Sequence, residues 1–228
     1  MTESPNYDLA ARMAELARTA AAPRTVNEVL GDVTATAQEL ITGVDTAGVL
    51  MIGKGGKWDS YGGTSDLPHV LDELQMTYGE GPCVEAALDE VIVRTDDFRT
   101  EERWPRYSAA AVDLGVLSGL SFKLYTSSQT AGALNLFAFK EQAFDAEAET
   151  VGAVLAAHAA AAILASRHGE QLQSALSTRD RIGQAKGIIM ERFNIDDVQA
   201  FEMLRKLSQD GNERLVQIAE RVINTRGT

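Results

Sequence analysis

The chain has a single cysteine, Cys83, among 228 residues. One thiol cannot close an intramolecular disulfide or supply a four-cysteine zinc site. Histidine is nearly as scarce. His69, His158 and His168 are scattered, with no His-x-x-x-His pair and no carboxylate cluster beside them, which argues against a metal or haem centre. Continuous apolar runs are short, and none approaches the roughly 18–20 residues of a membrane span. The opening "MTESPNYDLAARMAELARTAAA" lacks the basic start and apolar core of a signal peptide, so a cytoplasmic chain is expected. Basic charge is also in deficit: 21 Lys+Arg face 33 Asp+Glu, a formal net charge of −12. A tight, nonspecific duplex-DNA binder carries the opposite balance.

What is present is enough apolar material, 45 % of residues, to bury a core, in a chain long enough for one large domain or a medium and a small one. The acidity is uneven. Residues 171–228 carry nine basic and eight acidic side chains, leaving twelve basic and twenty-five acidic ones before them. A seam near residue 170 therefore separates an acidic part from a near-neutral tail.

Apolar spacing of three and four predicts a helix over Leu9–Ala22, stopped by Pro23. Thr25 with Glu28 forms a capping-box pattern that opens a second helix to about Ile41. Val49–Ile52 is a short apolar run expected as a strand, with "GKGGK" as a hairpin turn and "KWDSYGG" as the return strand. That turn lacks the Ser/Thr and spacing of a phosphate loop. Helices are expected from about Asp66 to Thr77, after Pro82, and over "WPRYSAAAVDLG", with "VIVRTD" as a brief strand. "VLSGLSFKLYTS" and "AGALNLFAFK" are two further strands divided by "SSQT", and the second is apolar on both faces. It should sit centrally in a mostly antiparallel sheet covered by helices.

From Asp145 the pattern becomes helical. Val151, Leu155, His158, Ala162, Ala165, Gly169, Leu172 and Leu176 alternate steps of four and three, a weak heptad seam. One face packing on the sheet explains it. Pairing with a second subunit beyond Ile163 explains its far end, and a homodimer is expected on that ground. Three helices should follow: about Thr178–Phe193, one capped at Asp196 or Asp197 and reaching Gln209, and one capped by Asn212 and reaching about Asn224. Their expected core is Ile182, Ile189, Phe193, Phe201, Leu204, Leu207, Leu215, Ile218 and Val222. Gly183 and Gly187 share a helix face where glycine costs about 1 kcal/mol against alanine, so either a helix packs closely there or an RNA or partner approaches the backbone.

The stretches "QAKGIIMER", "QAFEMLRKLSQ" and "N-x-R-L…IA" resemble, in order, the ANTAR domain of transcription antitermination regulators. "LQMTYGEGPCVEAA", "RWPRYSAAAVDLGV" and "AGALNLFAF" resemble the GAF sensor domain that often precedes it. The two resemblances imply an α+β fold: a GAF-like antiparallel sheet flanked by helices over 1–165, a connecting helix over 145–178, and a C-terminal three-helix bundle over 172–228. They further imply a dimeric regulator that binds paired RNA hairpins in leader transcripts, with no duplex DNA or membrane as partner. By this resemblance Ala185, Lys186, Gly187, Arg192, Arg205, Asn212 and Arg214 are the expected RNA-binding positions, with Ala200 a family-typical small residue. Glu213 departs from the pattern, since many relatives are basic or neutral there. The rival reading is a ligand-sensing adaptor whose bundle binds protein.

Trp104 and Cys83 are the candidates for lining a small-molecule pocket in the GAF part, with core packing as the plainer role for each. The ligand is unidentified and no cofactor is predicted. GAF-like methionine sulfoxide reductases resolve their chemistry through a second cysteine, which this chain lacks, so no enzymatic activity is expected.

Overall fold

A computed structural model describes residues 5–20, 24–53, 57–88, 91–127 and 130–225. The turns expected at 54–56 and 128–129 and the helix stop at Pro23 lie outside them. The chain divides into two compact units, Met1–Ser166 and Arg167–Thr228.

The first unit is built on five antiparallel strands: β1 (Thr46–Ile52), β2 (Trp58–Tyr61), β3 (Ile92–Thr95), β4 (Ser118–Ser127) and β5 (Thr130–Ala138), in the order β2-β1-β5-β4-β3. β5 is central, as its two apolar faces require. Alternation divides the side chains between two cores. Leu134, Leu136 and Ala138 of β5 join Val49, Leu120, Phe122 and Leu124 on one face, under α1 (Pro5–Ala20), α2 (Val26–Leu40) and the start of α6 (Ala146–Phe193). Ala133 and Phe137 join Leu50 and Val93 on the other, with α3 (Leu67–Tyr78), α4 (Pro82–Leu88) and α5 (Pro105–Asp113).

The Thr25–Glu28 capping box opens α2: the Glu28 amide donates to Thr25 Oγ1 at 3.3 Å and the Thr25 amide to Glu28 Oε2 at 2.8 Å. At Gly152 of α6 a Cβ would run into the buried Phe122 ring, so glycine sets how closely this helix lies on β4. Leu155, Ala156, Ala159, Ala160 and Ile163 continue the contact with the core.

Two sequence expectations are corrected along α6. Ala146–Ser166 has a mean hydropathy of 1.6 and by length and composition alone qualifies as a membrane span. Alanine supplies that hydropathy without a striking run, and here the segment contributes its buried face to the sheet core. Secondly, no separate helix begins at Thr178. α6 runs unbroken to Phe193, because no proline or turn sequence interrupts it.

In the second unit the last turns of α6 pack with α7 (Asp197–Asp210) and α8 (Leu215–Asn224). Asn194, at φ 51°, ends α6, and Asp196 then caps α7 in a box with Gln199, the Gln199 amide donating to Asp196 Oδ1 at 2.8 Å. Asn212 is not the cap of α8. It takes a left-handed φ of 49°, which asparagine tolerates, and Arg214 occupies the cap position, its amide donating to Gln217 Oε1 at 3.2 Å. The core centres on Ala185, Ile189, Ala200, Leu204, Ile218 and Ala219. Phe193, Phe201 and Leu207, expected inside, are exposed. Three alanines and three aliphatic side chains fill this small core, and the larger aromatic rings stay at its rim.

Candidate nucleic-acid interface and sensory core

The cations of the second unit differ in how they are held. Lys186 is the most constrained: it is paired with Asp197, its side chain is 22 % exposed, and its ammonium stands 5.9 Å from the Phe201 ring centre. Arg205 pairs with Glu202 at 2.6 Å, Arg181 with Glu220 at 3.2 Å and Arg221 with Glu213 at 2.9 Å. Arg179, Arg192, Lys206 and Arg214 stand outside these four pairs on exposed surface. Arg192 lies in the last turn of α6, where the helix dipole favours a cation.

Among the expected RNA-binding positions, Ala185 is fully buried and Ala200 with it, so both act through packing. Gly187, Asn212 and Arg214 are exposed. At Gly183 and Gly187 a Cβ would meet nothing within 4 Å. Close packing inside the chain therefore does not explain these two glycines. Gly183 instead borders an open cavity of about 740 Å³ lined by α6 residues from Ala175 to Lys186 and by Phe201 of α7.

In the first unit, Trp104 and Cys83 both lie in the core on the α3–α5 side of the sheet. The Arg103 guanidinium covers the Trp104 ring at 4.2 Å. This side of the sheet also holds a polar cluster that the sequence reading missed. Ser121 and Asn135 are cross-strand partners, and the Ser121 hydroxyl donates to Asn135 Oδ1 at 2.8 Å. Asn135 Nδ2 donates to Asp72 Oδ1 at 3.4 Å, and Ser60 Oγ donates to Asp72 Oδ2 at 2.7 Å. Gln75 Oε1 accepts from the Cys83 amide at 2.8 Å. Gln75 Nε2 and the Tyr107 hydroxyl are buried without a hydrogen-bond partner.

Burial pushes the Asp72 carboxyl up to about 7, against the hydrogen bonds from Ser60 and Asn135, which favour the charged form. Burial, and then the nearby Asp72 charge, raise the Cys83 thiol well above its ordinary range. A buried, protonated thiol is a poor nucleophile. Asn135 was legible as the one polar residue in "AGALNLFAF"; Asp72, next to Leu71 on a helix face, gave no such signal.

Comparison with known families matches residues 23–164 to the GAF domain and residues 170–223 to the ANTAR domain. No curated protein matches the chain. Among solved structures, the Stigmatella aurantiaca phytochrome photosensory core module is similar over 91 % of this chain and 46 % of its own, with a TM-score of 0.60 at 11 % identity. The free methionine-R-sulfoxide reductase from Neisseria meningitidis is similar over 74 % of this chain and 96 % of its own, with a TM-score of 0.53 at 14 % identity. The GAF domain from Acinetobacter phosphoenolpyruvate-protein phosphotransferase reaches 0.53 at 16 % identity, over 74 % and 97 %. At such identities the likeness is one of fold.

Proposed function

The chain belongs to the GAF domain family and ends in an ANTAR domain, and from that premise we propose that it is a transcription antitermination regulator that binds paired RNA hairpins in leader transcripts. The observation that carries this is the ANTAR match over a unit with its own three-helix core and four exposed cations beside the four ion pairs described above. RNA loops are read by polar and basic side chains, with phosphate charge supplying much of the affinity. Lys186, Gly187, Arg192, Arg205, Asn212 and Arg214 supply those contacts, held in place by Ala185.

The regulator works as a cytoplasmic homodimer, without a membrane or duplex DNA as partner. The α6 seam supports the dimer: Leu155 and Ile163 are buried in the sheet core, whereas Leu172 and Leu176 are 65 % and 53 % exposed. Two tips on one dimer gain affinity for two hairpins through effective concentration. The GAF part is the sensor. The Asp72–Asn135 cluster beside Cys83 and Trp104 offers polar groups to a small ligand, which acts by changing how the two α6 helices pair. Its chemistry is not catalytic, because the lone thiol is buried and protonated.

The test is binding of the full chain to a two-hairpin RNA against one-hairpin and scrambled controls. Selective binding, weakened severalfold or more by Lys186→Ala and by Arg192→Ala, is expected. Equal affinity for scrambled RNA, or indifference to both substitutions, favours the protein-binding adaptor instead.

A further inference from the structure

The cavity beside Gly183 has an unusual lining for a protein surface. It is lined by the apolar Ala175, Ile182 and Phe201, by Gly183, and by charged residues of both signs, Arg179 and Lys186 with Asp180. At about 740 Å³ it falls within the roughly 300–1,000 Å³ range of small-ligand sites. Phe201 is 37 % exposed, so ring surface remains free.

We propose that this groove takes an unstacked nucleobase of a single-stranded RNA loop. The base lies flat on Phe201 and the backbone at Gly183, and Arg179 and Lys186 carry its flanking phosphates. This rests on the RNA-binding reading above and adds the mode of recognition to it.

Two features favour a nucleotide. An aromatic ring with adjacent cations is the combination that holds splayed bases, since every base offers a face to stack and a phosphate to pair. Gly183 has no Cβ and an empty space above it, so a flat ring can reach the helix backbone. Lys186 is already placed to move: its ammonium pairs with Asp197, lies over the Phe201 ring at 5.9 Å from its centre, and can exchange the carboxylate for a phosphate.

The experiment uses the full chain and a two-hairpin RNA carrying 2-aminopurine at each loop position in turn, with Gly183→Leu and Phe201→Leu as variants. Gly183→Leu fills the groove from a position with open space, so its melting temperature should not fall below that of the parent. Loss of one stacked base is expected to weaken binding at least about fivefold. The fluorescence change at a single loop position should vanish in both variants. Undiminished binding by both variants would overturn the groove while leaving RNA binding intact. Failure of the parent to bind any loop would overturn both readings. A variant that changes the oligomeric state but not the affinity per dimer would assign the groove to a second copy of α6.

Discussion

At the scale of single residues, Asp72 is a carboxyl whose surroundings oppose its charge. Its carboxyl is buried between Ser60 and Asn135 with no cation beside it in this hydrogen-bonded cluster. The folded chain therefore holds its proton to about pH 7, whereas an exposed aspartate releases it near 3.8. Between those values the folded state binds more protons than the unfolded one, so stability falls as pH rises. The contribution is complete below about pH 4 and gone above about pH 7. From pH 5.5 to pH 8 the loss should amount to about 2 kcal/mol. Asp72→Asn cannot ionise and should lose stability less over that window by about this amount, read from urea unfolding at both pH values. Equal slopes in the two proteins would mean that Asp72 is solvated in the fold. A ligand that presents a cation or a donor to this carboxylate would favour its charged form, which couples sensing to the same proton.

At the scale of elements, most of the fold was legible because it is written in local chemistry. The Thr25–Glu28 box, the two-faced β5 and the Asp196 cap each follow from a few neighbouring residues. What was not legible depends on distances between elements. Phe193, Phe201 and Leu207 fit the apolar face of a helical wheel, yet the buried cluster is Ala185, Ile189, Ala200, Leu204, Ile218 and Ala219, and those three residues stay outside it. The same limit applies to glycine on α6. Gly152 and Gly183 look alike in sequence, but one is pressed on Phe122 and the other faces open space. Alanine should therefore have opposite effects at the two positions. Gly183→Ala should stabilise the chain by about 1 kcal/mol through helix propensity. Gly152→Ala should destabilise it by about 1–3 kcal/mol through overpacking of a fixed aromatic. Thermal or urea unfolding of the two variants side by side checks both signs, and a shared sign would show that α6 does not rest on β4 as described.

At the scale of the whole molecule, the proposed function asks an anionic chain of formal charge −12 to bind a polyanion through a tail that is nearly neutral. Four of its described cations are engaged with carboxylates, so a minimum count of phosphate contacts takes Arg179, Arg192, Lys206 and Arg214, before any exchange by Lys186 or Arg205. Each phosphate neutralised on a single strand contributes about −0.7 to the slope of log affinity against log salt. One chain on the RNA should then give a slope of about −3, and two chains engaging two loops about −6. Between 50 and 200 mM salt those slopes correspond to losses of about 60-fold and about 4,000-fold. The two-hairpin RNA should show the steeper dependence and a single hairpin the shallower one, both measured on the full chain. A common shallow slope would mean that the second hairpin adds no protein contact, and the gain from pairing would then have to come from the RNA alone. The steep slope would instead make affinity a reading of how many tips are engaged, so that a small shift in dimer population by the sensor would be amplified at physiological salt. Weak charge on each tip would then be an advantage, because under the proposed function a lone chain would bind too loosely to act and regulation would rest with assembly.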